Sequence, residues 1–424
     1  DMIIQEIPDP EYNIDDSLLF QPALLDYNDY VGRIGIGRIK RGKIELNSMV
    51  SCVRIDGSIQ KFRIQKLYSF LGLKKVEVDV AYAGDVVAIA GLPDIYVGET
   101  VCEIGKEEQL PLIKVSEPTV QMTFGTNTSP LSGRDGKFVT ARKLEDRLFR
   151  ETQSDVSLKV ERIGNSEEWN VCGRGELHLS ILIENLRREG FEFQVSRPRV
   201  ILKEIDGVTC EPYEFLQIDV PDEYLGPAIE QIGARRGELV NMESGEGQTR
   251  ITYHIPSRGL IGFSTEFLTA THGYGICNHT YLEYRPVYGD ADFNRKLGAL
   301  VSMNNGFCTS YACGQMEDRG ELLIEPGTEV YEGMIVGICN REEDLAVNIT
   351  REKQMTNQRS ATKDSTVVLK RPRLFSLENY LEFIDDDELV EITPNFIRLR
   401  KAILDTVERK KFDSIKLKAK KEKK

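Results

Sequence analysis

The sequence predicts a multidomain α+β protein: an N-terminal β-barrel, two tandem ferredoxin-like βαββαβ domains and a β-rich C-terminal domain. Three observations carry this. Short β-branched runs separated by Gly turns fill the first 112 or so residues. The element order β-α-β-β-α-β then occurs twice. Beyond about residue 290 a Gly-turned β pattern gives way to a long polar stretch and a lysine-rich end. At 424 residues there is room for roughly three or four domains. A 40% hydrophobic and 29% charged composition places the chain among folded rather than disordered proteins.

Residues 1–112 give strands over Phe20–Leu25, Val31–Ile39, Met49–Ile55 and Phe62–Leu67, with turns at Asn28-Asp29, Arg41-Gly42 and Asp56-Gly57. Regular short strands with Gly turns favour a barrel. Residues 113–200 give strand Thr119–Phe124, helix Phe138–Arg150, strands Val156–Arg162 and Glu168–Cys172, helix Glu176–Arg188 and strand Phe191–Val195. In the second helix Leu179, Leu182, Ile183 and Leu186 share one face, and Ser180, Glu184, Arg187 and Arg188 take the other. Gly190 is placed to cap it.

Residues 201–289 repeat the plan. Glu211-Pro212 opens strand Phe215–Val220, as Glu117-Pro118 opened the previous unit. Helix Leu225–Arg236, strands Leu239–Met242 and Arg250–Ile255, helix Leu260–Thr271 and strand Ile276–Tyr284 follow. In residues 290–424, Glu325–Ile338 is β-rich and Leu377–Ile384 is a short helix capped by Ser376. Thr350–Lys363 is polar, basic and without period.

Charge narrows the function classes. The net charge is −13, so a generic polyanion binder is excluded and any nucleic-acid contact must be a local patch. Arg398–Lys424 holds 12 basic and 4 acidic residues, a surplus of 8, so the remainder carries −21. No apolar run reaches the roughly 18 residues of a membrane helix, and no secretory signal opens the chain. Eight scattered Cys suit a reduced cytoplasm. The start at Asp1, without Met, predicts a segment of a longer protein.

Several motifs invite chemistry and fail on spacing. Gly32, Gly35, Gly37 and Gly42 lie among β-branched residues, not before a helix, and are barrel glycines. Gly136-Lys137 imitates a Walker loop, but Leu131 and Phe138 stand where that loop needs Gly and Ser or Thr. His272, Cys277 and His279 lack a second ligand pair, and Cys308 and Cys313 are not at CxxC spacing, so no metal site is expected. His178 is structural. Asp385–Glu388 is expected to be a solvated turn or a helix start rather than a cation site. The tail from Arg409 to Lys424 either meets RNA phosphates or is a frayed, solubilising terminus. No catalytic residue is assigned.

The wording of these segments goes further. GRGELHLSILIENLRREGFE (Gly173–Glu192) resembles the third domain of elongation factor G-type translational GTPases. YVGRIGIGRIKRGKI and AGDVVAIAGL resemble the β-barrel second domain of translation factors, and PSRGLIGFSTEF resembles the fifth domain. No insertion separates the two βαββαβ units, where elongation factor G carries an extra domain. QMEDRGELLIEPGTEVYEGMIVG, NREEDLAVNIT and LEFIDDDELVEITP resemble the C-terminal domain peculiar to the BipA/TypA family. The resemblance spans nearly the whole chain.

It implies the part of such a GTPase that follows the GTPase domain: a monomer that binds the ribosome, contacting ribosomal RNA and A-site transfer RNA, in the cytoplasm. It implies roles in translation, ribosome assembly and the stress response. GTP and Mg would belong to an N-terminal domain outside this sequence, which has neither a Walker loop nor an Asn-Lys dipeptide. The alternatives are a standalone RNA-binding assembly factor and a LepA-like GTPase fragment; IDDDELVE speaks against the latter. The predicted RNA contact is the Thr350–Lys363 stretch, whose apolar residues are only Met355 and Ala361. Arg351, Lys353, Arg359 and Lys363 supply cations, and Gln354 and Asn357 supply hydrogen-bond groups. The family resemblance implies that this loop approaches the acceptor end of transfer RNA.

Overall fold

The computed structural model describes Met2, Glu6 and residues 13–422, save 114, 116, 246, 289–294, 296 and 353–368. The chain is α+β and rich in strands. It divides into two compact units: Asp1–Glu117 with Asp146–Val160, and Pro118–Glu145 with Glu161–Lys424.

In the first unit the strands are β1 (Leu19–Asn28), β2 (Gly32–Arg41), β3 (Lys43–Glu45), β4 (Met49–Val53), β5 (Ile59–Arg63), β6 (Lys66–Leu71), β7 (Lys74–Glu77), β8 (Val80–Tyr82), β9 (Val86–Ala90) and β10 (Thr100–Cys102). Eight of them form one sheet in the order β5-β4-β10-β1-β2-β9-β6-β7, and β3 pairs with β8. Alternation along these strands buries Phe20, Ile39, Ile44, Val87, Ile89 and Val101 in one core. The strand expected over Phe62–Leu67 is two. At the corner, Ile64 N–H donates to Ser48 O and Gln65 N–H to Ala90 O, so the chain changes partner from β4 to β9 there.

The second unit begins with β11 (Val120–Thr126), helix α1 (Ala141–Ser154, whose residues from Asp146 count with the first unit), β12 (Lys159–Arg162, whose Lys159 and Val160 count with the first unit), β13 (Glu168–Gly173), α2 (Glu176–Glu189) and β14 (Phe193–Val195). The strand order is β12-β13-β11-β14. Helix α1 starts later than Phe138. Phe138 is extended instead, its N–H donating to Gly190 O and its carbonyl accepting from Glu192 N–H, with its ring 4.8 Å from Phe191. In α2 the four expected apolar residues are buried, and Gly190 caps the helix in the left-handed region at φ 95°. Ser180 is buried with them, not on the outer face; its hydroxyl donates to Leu177 O and so needs no water.

Next come β15 (Arg199–Val200), β16 (Lys203–Ile205), β17 (Val208–Pro221), α3 (Leu225–Ala234), β18 (Glu238–Gly245), β19 (Gln248–Pro256), α4 (Ser257–Leu260), α5 (Phe263–Ala270) and β20 (Ile276–Pro286). The order β18-β19-β17-β20 repeats that of the preceding sheet. The helix expected over Leu260–Thr271 is broken at Gly262, whose φ of 71° only Gly adopts without strain. Leu216, Ile218, Ile232, Ile251, Phe263 and Phe267 form the core.

The remaining elements are β21 (Ala299–Ser302), β22 (Gly306–Phe307), α6 (Ser310–Met316), β23 (Gly320–Leu322), β24 (Glu329–Val330), β25 (Met334–Cys339), β26 (Leu345–Val347), α7 (Leu377–Phe383), β27 (Glu388–Ile392), β28 (Ile397–Lys401) and α8 (Thr406–Glu422). Ser376 caps α7 in a reciprocal box with Asn379. Apart from β22 and β24, which pair with each other, these strands do not form a separate sheet: β27 pairs with β14 (Phe193↔Ile392, Gln194↔Glu391, Val195↔Val390), extending the earlier sheet through β28, β25, β21 and β26. Leu131, from the loop before α1, joins the core of this last segment.

Candidate nucleic-acid interface

Of the residues expected to meet RNA, Arg351 is described, and it is exposed. Lys353, Gln354, Asn357, Arg359 and Lys363 lie outside the described residues. What the structure gives is the seat of that stretch.

Its entry is built on Thr309, the residue before α6. The Thr309 N–H donates to Ile349 O at 3.2 Å, and its hydroxyl donates to Arg351 O at 2.6 Å. The same oxygen accepts the Ala312 N–H at 3.1 Å, so one side chain caps the helix and holds the strand end. Asn348 tightens the approach by accepting from the Thr350 N–H and hydroxyl. The exit is built on Glu317, the residue after α6, whose carboxylate accepts the Lys370 N–H at 2.7 Å. Arg373 N–H then donates to Leu322 O. Both ends of the stretch are therefore tied to the two ends of one seven-residue helix. Cys313, Ala312 and Met316 bury that helix in the core.

The exit adds cations beyond those expected from the sequence. Lys370, Arg371 and Arg373 are exposed. Lys370 and Arg371 line, with Glu317, Glu321 and Asn340, a cleft of about 270 Å³. Arg373 lies over the Phe375 ring, 5.4 Å from its centre, and pairs with Glu321 at 3.4 Å. Their signal in the sequence is a Lys-Arg-Pro-Arg run directly after an apolar Val-Val-Leu.

Asp385–Glu388 does not start a helix; it follows the end of α7, turns at Asp386-Asp387 with Asp386 exposed, and is also an ion-pair block. Asp385 faces Arg197 at 3.5 Å and Asp386 faces Arg199 at 2.9 Å. Glu388 is buried between Arg295 and Lys401, each 2.8 Å away. Lys401 also meets Asp344 at 2.5 Å and Asp387 at 3.0 Å. Burial alone would lower the Lys401 pKa, but Glu388, Asp344 and Asp387 outweigh it and hold the ammonium charged above its usual range. With every carboxylate engaged by a fixed cation, the block is built for cohesion rather than for binding a metal.

The glycine loop before α1 is likewise occupied from within. Gly133 and Gly136 N–H groups donate to the buried Glu192 carboxylate at 2.8 and 2.9 Å, and Asn127 donates to it as well. A Cβ on Gly136 would stand 2.4 Å from Glu192 Cβ, which is why only Gly fits. The carboxylate takes the place that a phosphate would need.

The His/Cys cluster is dispersed. His279 Nδ1 lies 2.5 Å from the Glu214 carboxylate, a hydrogen bond that raises its pKa, while His272 packs on the Tyr224 ring. Among the described residues no three His, Cys, Asp or Glu are grouped to hold a metal. His178 Nδ1 accepts the Arg174 N–H, ordering the turn into α2. The basic tail is helical in α8. No helix among the described residues is long and apolar enough to cross a membrane.

Four segments of the chain match known families. Residues 297–406 match the TypA/BipA C-terminal domain, 208–294 the elongation factor G C-terminus, 138–197 elongation factor G domain III and 32–102 elongation factor Tu domain 2. The large ribosomal subunit assembly factor BipA of Bacillus subtilis (strain 168) is 56% identical over 410 residues, 96% of this chain and 67% of that protein. The protein so named from Synechocystis is 49% identical over 94% of this chain and 67% of its own length. That from Escherichia coli (strain K12) is 46% identical over 96% and 68%. The chain thus spans about two thirds of these relatives.

Proposed function

Because this chain belongs to the BipA/TypA family of translational GTPases, we propose that it is the ribosome- and RNA-binding portion of such a protein, acting in assembly of the large ribosomal subunit and in translation under stress. In this reading residues 1–112 are the translation-factor β-barrel, and 113–200 and 201–289 are ferredoxin-like domains. Residues 290–424 are the family's own C-terminal domain. The chain works in the cytoplasm, as a monomer, on ribosomal RNA and A-site transfer RNA.

The observation that carries the proposal is the seat on α6. A stretch rich in cations and hydrogen-bonding side chains is anchored at both ends by side-chain contacts, with Arg351 at its entry and Lys370, Arg371 and Arg373 at its exit. Such a stretch suits phosphate and ribose contacts in structured RNA. Arg351, Lys353, Arg359 and Lys363 neutralise phosphates, and Gln354 and Asn357 bond bases or ribose. No GTP chemistry is assigned to this chain's residues. Co-sedimentation with purified large ribosomal subunits tests the reading: the chain should pellet with them and be released as salt rises. Failure to pellet at low salt would overturn it.

A further inference from the structure

Cys308 and Cys313 have their sulfurs 3.0 Å apart, and both are unbonded thiols. They lie on either side of Thr309: Cys308 directly follows β22, its N–H donating to Thr328 O and its carbonyl accepting from Gly327 N–H, and Cys313 is on the inner face of α6. Both are buried, at 3% and 1% exposure, within one apolar core.

We propose that Cys308 and Cys313 are a peroxide-responsive disulfide pair that locks the Thr309 seat of residues 349–351. The proposal does not depend on what that stretch binds. The oxidant is hydrogen peroxide, small enough to enter where a bulky disulfide reagent is excluded. The Cys313 thiolate attacks one peroxide oxygen; an S–O bond forms, the O–O bond breaks, and the departing hydroxide takes a proton to become water. Cys308 then attacks the sulfenic sulfur; the S–S bond forms, the S–O bond breaks, and a second water leaves with the Cys308 proton. Two thiols and one peroxide thus give one disulfide and two waters.

The 3.0 Å contact brings the two sulfurs together, and the hydrogen bond between them sets which is the better nucleophile. With Cys308 as the donor, that bond holds Cys313 below the usual thiol range and leaves Cys308 above it. Burial pushes the Cys52 thiol up to about 12 and the Cys277 thiol up to about 11, which makes these two poorer targets. Bonding needs the sulfurs to close by about 1 Å to normal disulfide length. The ring so formed encloses Thr309, whose hydroxyl holds both the Ala312 N–H and Arg351 O.

The test treats the chain with limiting hydrogen peroxide, counts free thiols after unfolding, and maps peptides. Two of the eight thiols should disappear, joined as a 308–313 link that dithiothreitol reverses. Backbone hydrogen exchange across 309–316 should slow at least several-fold in the oxidised protein. Cys308→Ser should leave Cys313 as a sulfenic acid trapped by dimedone, and Cys313→Ser should leave Cys308 unreacted. These variants only assign the order of steps, since the link is mapped in the unaltered chain. Retention of all eight thiols, a link involving Cys339 instead, or unchanged exchange across 309–316 would overturn the proposal.

Discussion

Lys401 is the residue on which the last segment is tied together. Its buried ammonium is shared by Asp344, Asp387 and Glu388. An exposed pair such as Arg134–Glu329 contributes little, since water screens it. A buried pair stripped of one partner strands the other charge in the interior. Lys401→Met should therefore lower unfolding stability by about 3–5 kcal/mol, read as a fall in the urea midpoint. Arg134→Ala should change it by less than about 0.5 kcal/mol. Equal effects from the two would show that the block is not cohesive.

Glu176 gives the opposite sign. Its Oε1 is buried with no hydrogen-bond partner among the described residues, and Oε2 accepts only a long bond, 3.4 Å, from Gly262 N–H. Burial first, then the charges of Glu382 and Glu378, raise its pKa from 4.5 to about 7 against the pull of Gly262 and Arg235. The unfolded chain loses this proton near 4.5 while the folded chain keeps it to about 7. Folding thus binds a proton, and stability falls as pH rises through that window. Glu176→Gln should raise the melting temperature relative to the parent at pH 8 and leave it nearly unchanged at pH 4.5. A difference that is constant with pH would contradict the assignment.

At the scale of elements, helix α6 is a clamp more than a core helix. Thr309→Val removes the oxygen that caps α6 and holds Arg351 O. It should cost about 1 kcal/mol in stability, with Thr309→Ser restoring most of it. Ribosome affinity should fall while its salt dependence stays, because no charge is removed. Co-sedimentation across a salt series reads both.

What the sequence makes visible at this scale is periodicity. Leu179, Leu182, Ile183 and Leu186 declare α2 because their spacing admits one face. Ser180 departs from the expected outer face because a small side chain at the edge of that stripe can bond to its own helix. The start of α1 departs from expectation because Phe138 follows a helical apolar spacing yet spends its backbone bonds on Gly190 and Glu192. The buried charges are invisible in sequence. Glu388, Glu391 and Lys401 are 1%, 0% and 3% exposed, and sequence rules send such residues to the surface. The polar, basic stretch is legible from composition, but its seat is not, since Thr309 and Arg351 are 42 residues apart. Lys370–Arg373 stands apart from that stretch because Val367-Val368-Leu369 interrupts the polar run.

At the scale of the molecule, the sheet shared by β14 and β27 joins segments that the sequence presents as separate domains. Glu391 adds to the joint, bonded to Asn127, Tyr331 and Arg398. The last segment is thereby fixed to the unit of β11–β14, not to the one that directly precedes it in sequence. The chain's phosphate-like glycine loop is filled by Glu192. Calorimetric titration with a non-hydrolysable GTP analogue should therefore give no heat of micromolar binding; a saturable isotherm would reopen a nucleotide role for these residues.

In the proposed function the stretch seated on α6 meets RNA through its cations. The direct measurement is ribosome affinity against salt for the chain and for a variant with Arg351, Lys353, Arg359 and Lys363 all changed to Ala. Each cation removed from a phosphate should reduce the slope of log affinity against log salt by about 0.7–0.9. The account predicts weaker binding and a slope flatter by roughly 3. An affinity and slope matching the unaltered chain would contradict it.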